Sequence, residues 1–139
     1  MMKKILLLIG VFTVLLMPIC SAENWTLYLG GENYDDASYV DLDSAWYDGK
    51  EGGFLDKYVF NFNSTSNISV VQFRDDTETK HVNPLYPGAF WVRILKTTWY
   101  DENGNVTKVK SYDYPKEFYC SDGHPLARAA RVVKKAKGY

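Results

Sequence analysis

Cysteine is almost missing from this chain, with two in 139 residues, Cys20 and Cys120, and histidine is as scarce, with only His81 and His124. A metal centre wants three or four ligands, and a chain this poor in both residues offers no ligand spacing of that kind. Charge imbalance is also missing: sixteen basic against seventeen acidic residues give a net charge of −1, which argues against general nucleic-acid binding. No phosphate-cradling glycine motif, serine elbow or pair of catalytic carboxylates in a recognisable context occurs. Long apolar runs are absent except at the very start.

That start is the most readable segment. Lys3 and Lys4 precede an apolar run from Ile5 to Met17, and Cys20-Ser21-Ala22 places small residues before Glu23. The pattern predicts a secretory signal peptide over 1–22, cleaved after Ala22. At 1.5 Å per residue the run spans only about 20 Å, short of the roughly 30 Å a membrane helix must cross. Lipidation at Cys20 wants a small residue just before it, and Ile19 stands there. The expected location is therefore exported: periplasmic, cell-surface or secreted, in a bacterium.

Removing 1–22 leaves 117 residues, one β-rich domain over 23–139 with no transmembrane helix, and losing Lys3 and Lys4 takes the net charge to −3. It also leaves Cys120 without an internal partner. A lone thiol in an oxidising compartment is expected to be buried. The charge is unevenly placed: residues 23–56 hold nine acids against Lys50, whereas 126–139 hold Arg128, Arg131, Lys134, Lys135 and Lys137 and no acid. Either the two ends attract each other or the basic face meets a partner.

Patterning predicts an α+β fold, mainly an antiparallel sheet of about six to seven strands with one C-terminal helix packed on or beside it. Trp25 to Leu29 alternates with period two, Ser38 to Leu42 follows, and Asp43-Ser44 with Tyr47-Asp48-Gly49 supplies turn chemistry. Phe54 to Phe62 reads as a third strand with Tyr58, Phe60 and Phe62 on one face, then Ile68 to Phe73, then a weak strand over Thr79 to Val82. Asn83 to Gly88, with two prolines, reads as a surface connection. Ala89 to Tyr100 and Val106 to Tyr114 form a hairpin around Glu102-Asn103-Gly104, in a register that opposes Arg93 to Asp113 and Lys96 to Lys110. Pro125 opens a helix that Asp122 or His124 caps, with a stripe of Leu126, Ala129, Ala130, Val133 and Ala136, and Gly138 ends it. The four tryptophans are expected in the core.

Three groups of residues are candidates for chemistry. Cys120 and His124 lie four apart ahead of a helix start, where a thiol can ionise more readily, so a cysteine-dependent enzyme or redox protein is one alternative. No third orienting group identifies itself, and Cys120 is otherwise a free thiol filling a strand end. Asp35, Asp36, Asp41, Asp43 and Asp48 resemble a calcium loop, but Ala45-Trp46 falls where a ligand and a glycine belong. The basic residues Arg128, Arg131, Lys134, Lys135 and Lys137 are the candidate partner-binding set, and a structural or inhibitory periplasmic module acting through them is the other alternative. No catalytic residue, metal ligand or cofactor is assigned. Sequons at Asn24, Asn63, Asn67 and Asn105 would carry glycans only in a eukaryotic host.

The order of parts resembles the bacterial surface-adhesin protein E family on Tyr39-Val-Asp-Leu-Asp-Ser44 and Tyr100-Asp-Glu-Asn-Gly-Asn-Val106, over about Trp25 to Val133. The resemblance implies an antiparallel sheet with a terminal helix, no catalysis, and an envelope role that in some members is binding host matrix proteins. The chain departs from it at the proline-bearing 75–88 segment and in having one mature cysteine where related chains can form a disulfide. No binding residue transfers. The function expected is thus a non-enzymatic, adhesin-like envelope protein with a protein or matrix ligand.

Overall fold

The computed structural model describes residues 24–33, 35–76, 89–121 and 123–139. The expected leader to Ala22, His81, the expected Thr79–Val82 strand, the expected Asn83–Gly88 connection and Asp122 lie outside the described residues. Seven strands and one helix follow in order: β1 Trp25–Gly30, β2 Ala37–Tyr47, β3 Glu51–Val59, β4 Ser66–Asp75, β5 Phe90–Tyr100, β6 Val106–Ser111, β7 Phe118–Cys120 and α1 Pro125–Ala136. All strands join one antiparallel sheet in the order β1-β2-β3-β4-β5-β6. The outer side of β5 takes two partners, β7 along Phe90–Val92 and β6 along Lys96–Tyr100. The expected α+β architecture is the observed one.

Local departures have identifiable causes. The turn expected at Asp43-Ser44 is a bulge inside β2: the buried Asp41 carboxylate accepts from the Asp43 amide at 3.1 Å and the Ser44 hydroxyl at 2.7 Å, satisfying backbone the ladder leaves free. The strand therefore runs on to Tyr47. β3 starts three residues before Phe54 because Gly52 and Gly53 are strand residues, and it ends at Val59. Phe62 then falls in a turn and is 84% exposed, off the face shared by Tyr58 and Phe60.

In the last hairpin, Gly104 has φ +82, as its turn requires, but a second bulge sits beside it. The expected register holds only at Tyr100 opposite Val106, after which Thr107 is the extra residue and Trp99 faces Lys108. Lys96 consequently opposes Ser111, and the two lysines are not paired. Arg93 does not meet Asp113, since β6 has ended, and its guanidinium reaches Glu117 instead. β7, three residues long, is too short to leave a periodic signal, but it ends at Cys120, where a strand end is expected.

α1 covers one face of the sheet. His124 caps it through Nδ1, which accepts from the Leu126 amide at 3.1 Å. Ala127, Ala129, Ala130 and Val133 are fully buried against Val40, Phe54, Val71, Phe73, Phe90 and Val92, so Ala127 joins the expected stripe while Ala136 stays exposed. Small side chains let the helix backbone approach the sheet closely, and each buried phenylalanine stabilises by roughly 1.5–3 kcal/mol. Lys134 fixes the far end, with Nζ 3.1 Å from Asp75 and over the Tyr47 and Phe90 rings. None of the four tryptophans is in this core: Trp46 is 44% exposed and the other three are half-buried, contrary to expectation.

Candidate functional site

Residues directly opposite each other in an antiparallel sheet share a face, so the register defines what stands away from α1. One row across that open face is Trp46, Gly53, Gln72 and Arg93. The next is Glu51, Arg74, Trp91 and Tyr119. Beyond them run Trp25, Asp41, Leu55, Val70 and Lys96, then Leu27, Tyr39, Lys57, Ile68 and Thr98. Among the described residues no helix covers this face.

The first two rows enclose a cleft of about 190 Å³. Its floor and one wall are a charge cluster. Arg74 donates twice to Glu117, Nε to Oε2 and Nη2 to Oε1, both at 2.8 Å, and Arg93 Nη2 stands 3.6 Å from Oε2. The paired Arg74 hydrogen bonds hold the Glu117 carboxyl below the usual carboxylate range, and Arg93 adds to the effect. Arg74 also lies over the Trp91 ring at 5.4 Å, whose indole N–H donates to Asp76 at 3.3 Å and whose edge meets Tyr119. These contacts fix the guanidinium planes.

The opposite wall is Trp46. The β2 bulge flips side-chain parity: Val40 points inward, but Ala45 and Tyr47 do so after the bulge, which turns Trp46 outward. Its indole lies across Gly53, where an added Cβ would sit 2.5 Å from Trp46 Nε1. The sheet thus presents a half-exposed aromatic, lying across Gly53, beside planar polar groups.

A second cavity, about 340 Å³, opens beyond the N-terminal end of α1 on the helix-covered face. Tyr28 donates its hydroxyl there to Asp56, whose carboxyl burial raises to about 6.

The residues singled out from sequence are placed as follows. Cys120 is buried, as expected, and burial pushes its thiol up to about 12, while His124 has committed Nδ1 to the helix cap. Their geometry prepares no thiolate. Lys134 is held by Asp75, Lys137 donates to the Leu42 carbonyl at 3.2 Å, and Arg128 lines a depression with Glu32 and Asp35. Arg131 is half-buried and Lys135 exposed. The acids act as local acceptors: Asp48 takes the Lys50 and Glu51 amides, Asp36 the Asn61 amide, and Asp43 the Asn24 side chain. Among the described residues no group of three His, Cys, Asp or Glu side chains converges to hold a metal, and no helix is long and apolar enough to cross a membrane.

The cleft residues were missed in the sequence, although part of the signal was present. Gln72 and Arg74 alternate with Val71 and Phe73, as Trp91 and Arg93 do with Phe90 and Val92, which marks two polar-aromatic parities that adjacent strands bring together. Glu117 and Trp46 carried no such signal, one preceding a three-residue strand and the other lying behind a bulge. Comparison of the chain with family models, curated proteins and solved structures finds no match.

Proposed function

We propose that this chain is an exported, non-enzymatic bacterial envelope protein that binds a matrix macromolecule in the manner of an adhesin, through the sheet face that α1 leaves open. The observation that carries the reading is the uncovered face itself. It combines exposed Trp46 and Leu27 with Lys57, Arg74 and Arg93, the aromatic and arginine composition in which binding hot spots are enriched. The leader over 1–22 and the resemblance on Tyr39 to Ser44 and Tyr100 to Val106 support the same assignment.

The test compares two variant pairs for binding to immobilised extracellular-matrix preparations. Trp46→Ala with Arg93→Gln removes open-face contacts, whereas Arg128→Gln with Lys135→Gln neutralises exposed positions on the helix side. Saturable binding is expected that the first pair weakens about tenfold or more and the second leaves within about twofold, since central anchors dominate and peripheral charges contribute little. Binding no better than that of an unrelated exported domain overturns the proposal, as does loss in the helix pair alone.

A further inference from the structure

We infer that the Trp46–Arg93 cleft seats one neutral sugar ring of a glycan, an inference that rests on the matrix-binding reading and names the group it recognises. Size is the first constraint. At about 190 Å³ the cleft is smaller than the roughly 300–1,000 Å³ of sites for drug-sized ligands, and it suits a single six-membered ring.

Charge is the second constraint. Among the described residues Glu51, Arg74, Arg93 and Glu117 line the cleft, two of each sign, a balance that favours neither an anion nor an amine. Glu117 already occupies the Nε–Nη2 edge of Arg74 that an incoming anion would need, and its carboxylate stands beside Arg93.

Shape and hydrogen-bonding capacity decide between the neutral ligands. Arg93, Gln72 and Glu51 are planar groups presenting adjacent donors or acceptors, and neighbouring hydroxyls on a sugar ring can engage such groups two at a time. A purely apolar ligand would cover these groups without replacing their water, at a cost the contact with Trp46 does not offset. A ring with an apolar C–H face and a polar rim satisfies both sides. Its C–H face stacks on the indole, for which Gly53 leaves room, and its rim meets the polar side chains. A single ring of about twelve heavy atoms in an open cleft is expected to bind with a dissociation constant on the order of 1 mM, and a multivalent glycan more tightly.

The experiment titrates the purified protein with the methyl glycosides of glucose, galactose, mannose and N-acetylglucosamine, and with methyl glucuronide and a methyl sialoside as acidic controls. The readouts are the NMR signal of the Trp46 indole N–H and, for the variant that lacks this indole, saturation transfer from protein to glycoside. At least one neutral glycoside is expected to shift the indole signal saturably, with the shift absent in the Arg93→Gln variant and binding lost in Trp46→Ala. Both variants are checked for unchanged thermal unfolding. No shift from any neutral glycoside, or a shift from the acidic ones alone, overturns the inference. A parallel arm repeats matrix binding after periodate oxidation, which cleaves vicinal diols. Binding that survives oxidation overturns the glycan inference and leaves the matrix-binding reading standing. Glycoside shifts without any matrix binding overturn that reading and leave the sugar site.

Discussion

Asp56 shows how one residue couples this fold to pH. It lies in the cavity beyond the end of α1, and among the described residues lining that cavity there is no cation to compensate a carboxylate. Burial raises its folded pKa to about 6, against the hydrogen bond from Tyr28, which acts in the opposite sense. In the unfolded chain an aspartate titrates near about 3.9, so between about pH 4 and 6 the native state binds more protons than the unfolded one. Stability must then fall as pH rises through that window and level off above it. Asp56→Asn keeps an acceptor for Tyr28 and removes the charge. Its stability relative to the native protein is expected to grow by about 2–3 kcal/mol from pH 4 to 7, and urea denaturation at a series of pH values measures this. Glu117 works in the opposite sense, its arginine pairs adding stability that is lost only as pH falls below the ordinary carboxylate range. A difference curve that stays flat would remove Asp56 from this role. Cys120 obeys the same desolvation physics, but it is packed into the core cluster itself.

At the scale of elements, the site depends on two consecutive glycines meeting different obstacles. A Cβ on Gly52 would lie 2.4 Å from the Trp46 carbonyl oxygen and 2.6 Å from the buried Phe73 ring, neither of which can yield. A Cβ on Gly53 would meet the half-exposed Trp46 indole, which can swing into solvent. Gly52→Ala is therefore expected to cost about 1–3 kcal/mol or more, and Gly53→Ala less, with a red-shifted tryptophan fluorescence as the indole leaves its seat. Equal costs in thermal unfolding would contradict the separation. The same glycines show why sequence reading reached some elements and missed others. The strand around Trp25 to Leu29, the Ala89 to Tyr100 strand and the helix from Pro125 follow from their own periodicity and punctuation. Gly52-Gly53 reads locally as a break, because the reason for glycine lies on neighbouring strands. Asp43-Ser44 reads as a turn for a similar reason: its chemistry is that of a turn, and only the pairing on both sides keeps it in β2. That bulge reverses the parity that would have sent Trp46 inward, so the cleft's aromatic wall was hidden while its Gln72, Arg74 and Arg93 parity was visible.

At the scale of the whole molecule, the fold brings the acid-rich segment 23–56 together with the basic segment 126–139. α1 packs across β2, β3 and β1, the strands formed by the acid-rich segment 23–56, with Lys137 reaching the Leu42 carbonyl and Arg128 sharing a depression with Glu32 and Asp35. Lys134 and Lys135 also stand in the last turn, where the negative end of the helix dipole favours cations. Of the two explanations for the charge asymmetry, attraction between the ends fits Arg128 beside Glu32 and Asp35, whereas Lys137 meets a backbone carbonyl and Lys134 pairs with Asp75 on β4, outside the acid-rich segment. Each charge contributes little by itself, about 0.2–1 kcal/mol for an exposed contact, but the group acts on one docking event, the closure of the last element over the sheet. Replacing Arg128, Lys134, Lys135 and Lys137 together with Gln is therefore expected to lower stability by about 1–3 kcal/mol at low ionic strength. The loss should shrink as salt rises from about 0.02 to 0.5 M, because screening removes from the native protein what substitution has removed from the variant. Urea midpoints measured across that range decide it: a gap that persists undiminished at high salt would assign the effect to lost side-chain packing over Tyr47 and Phe90, and not to the field between the two ends.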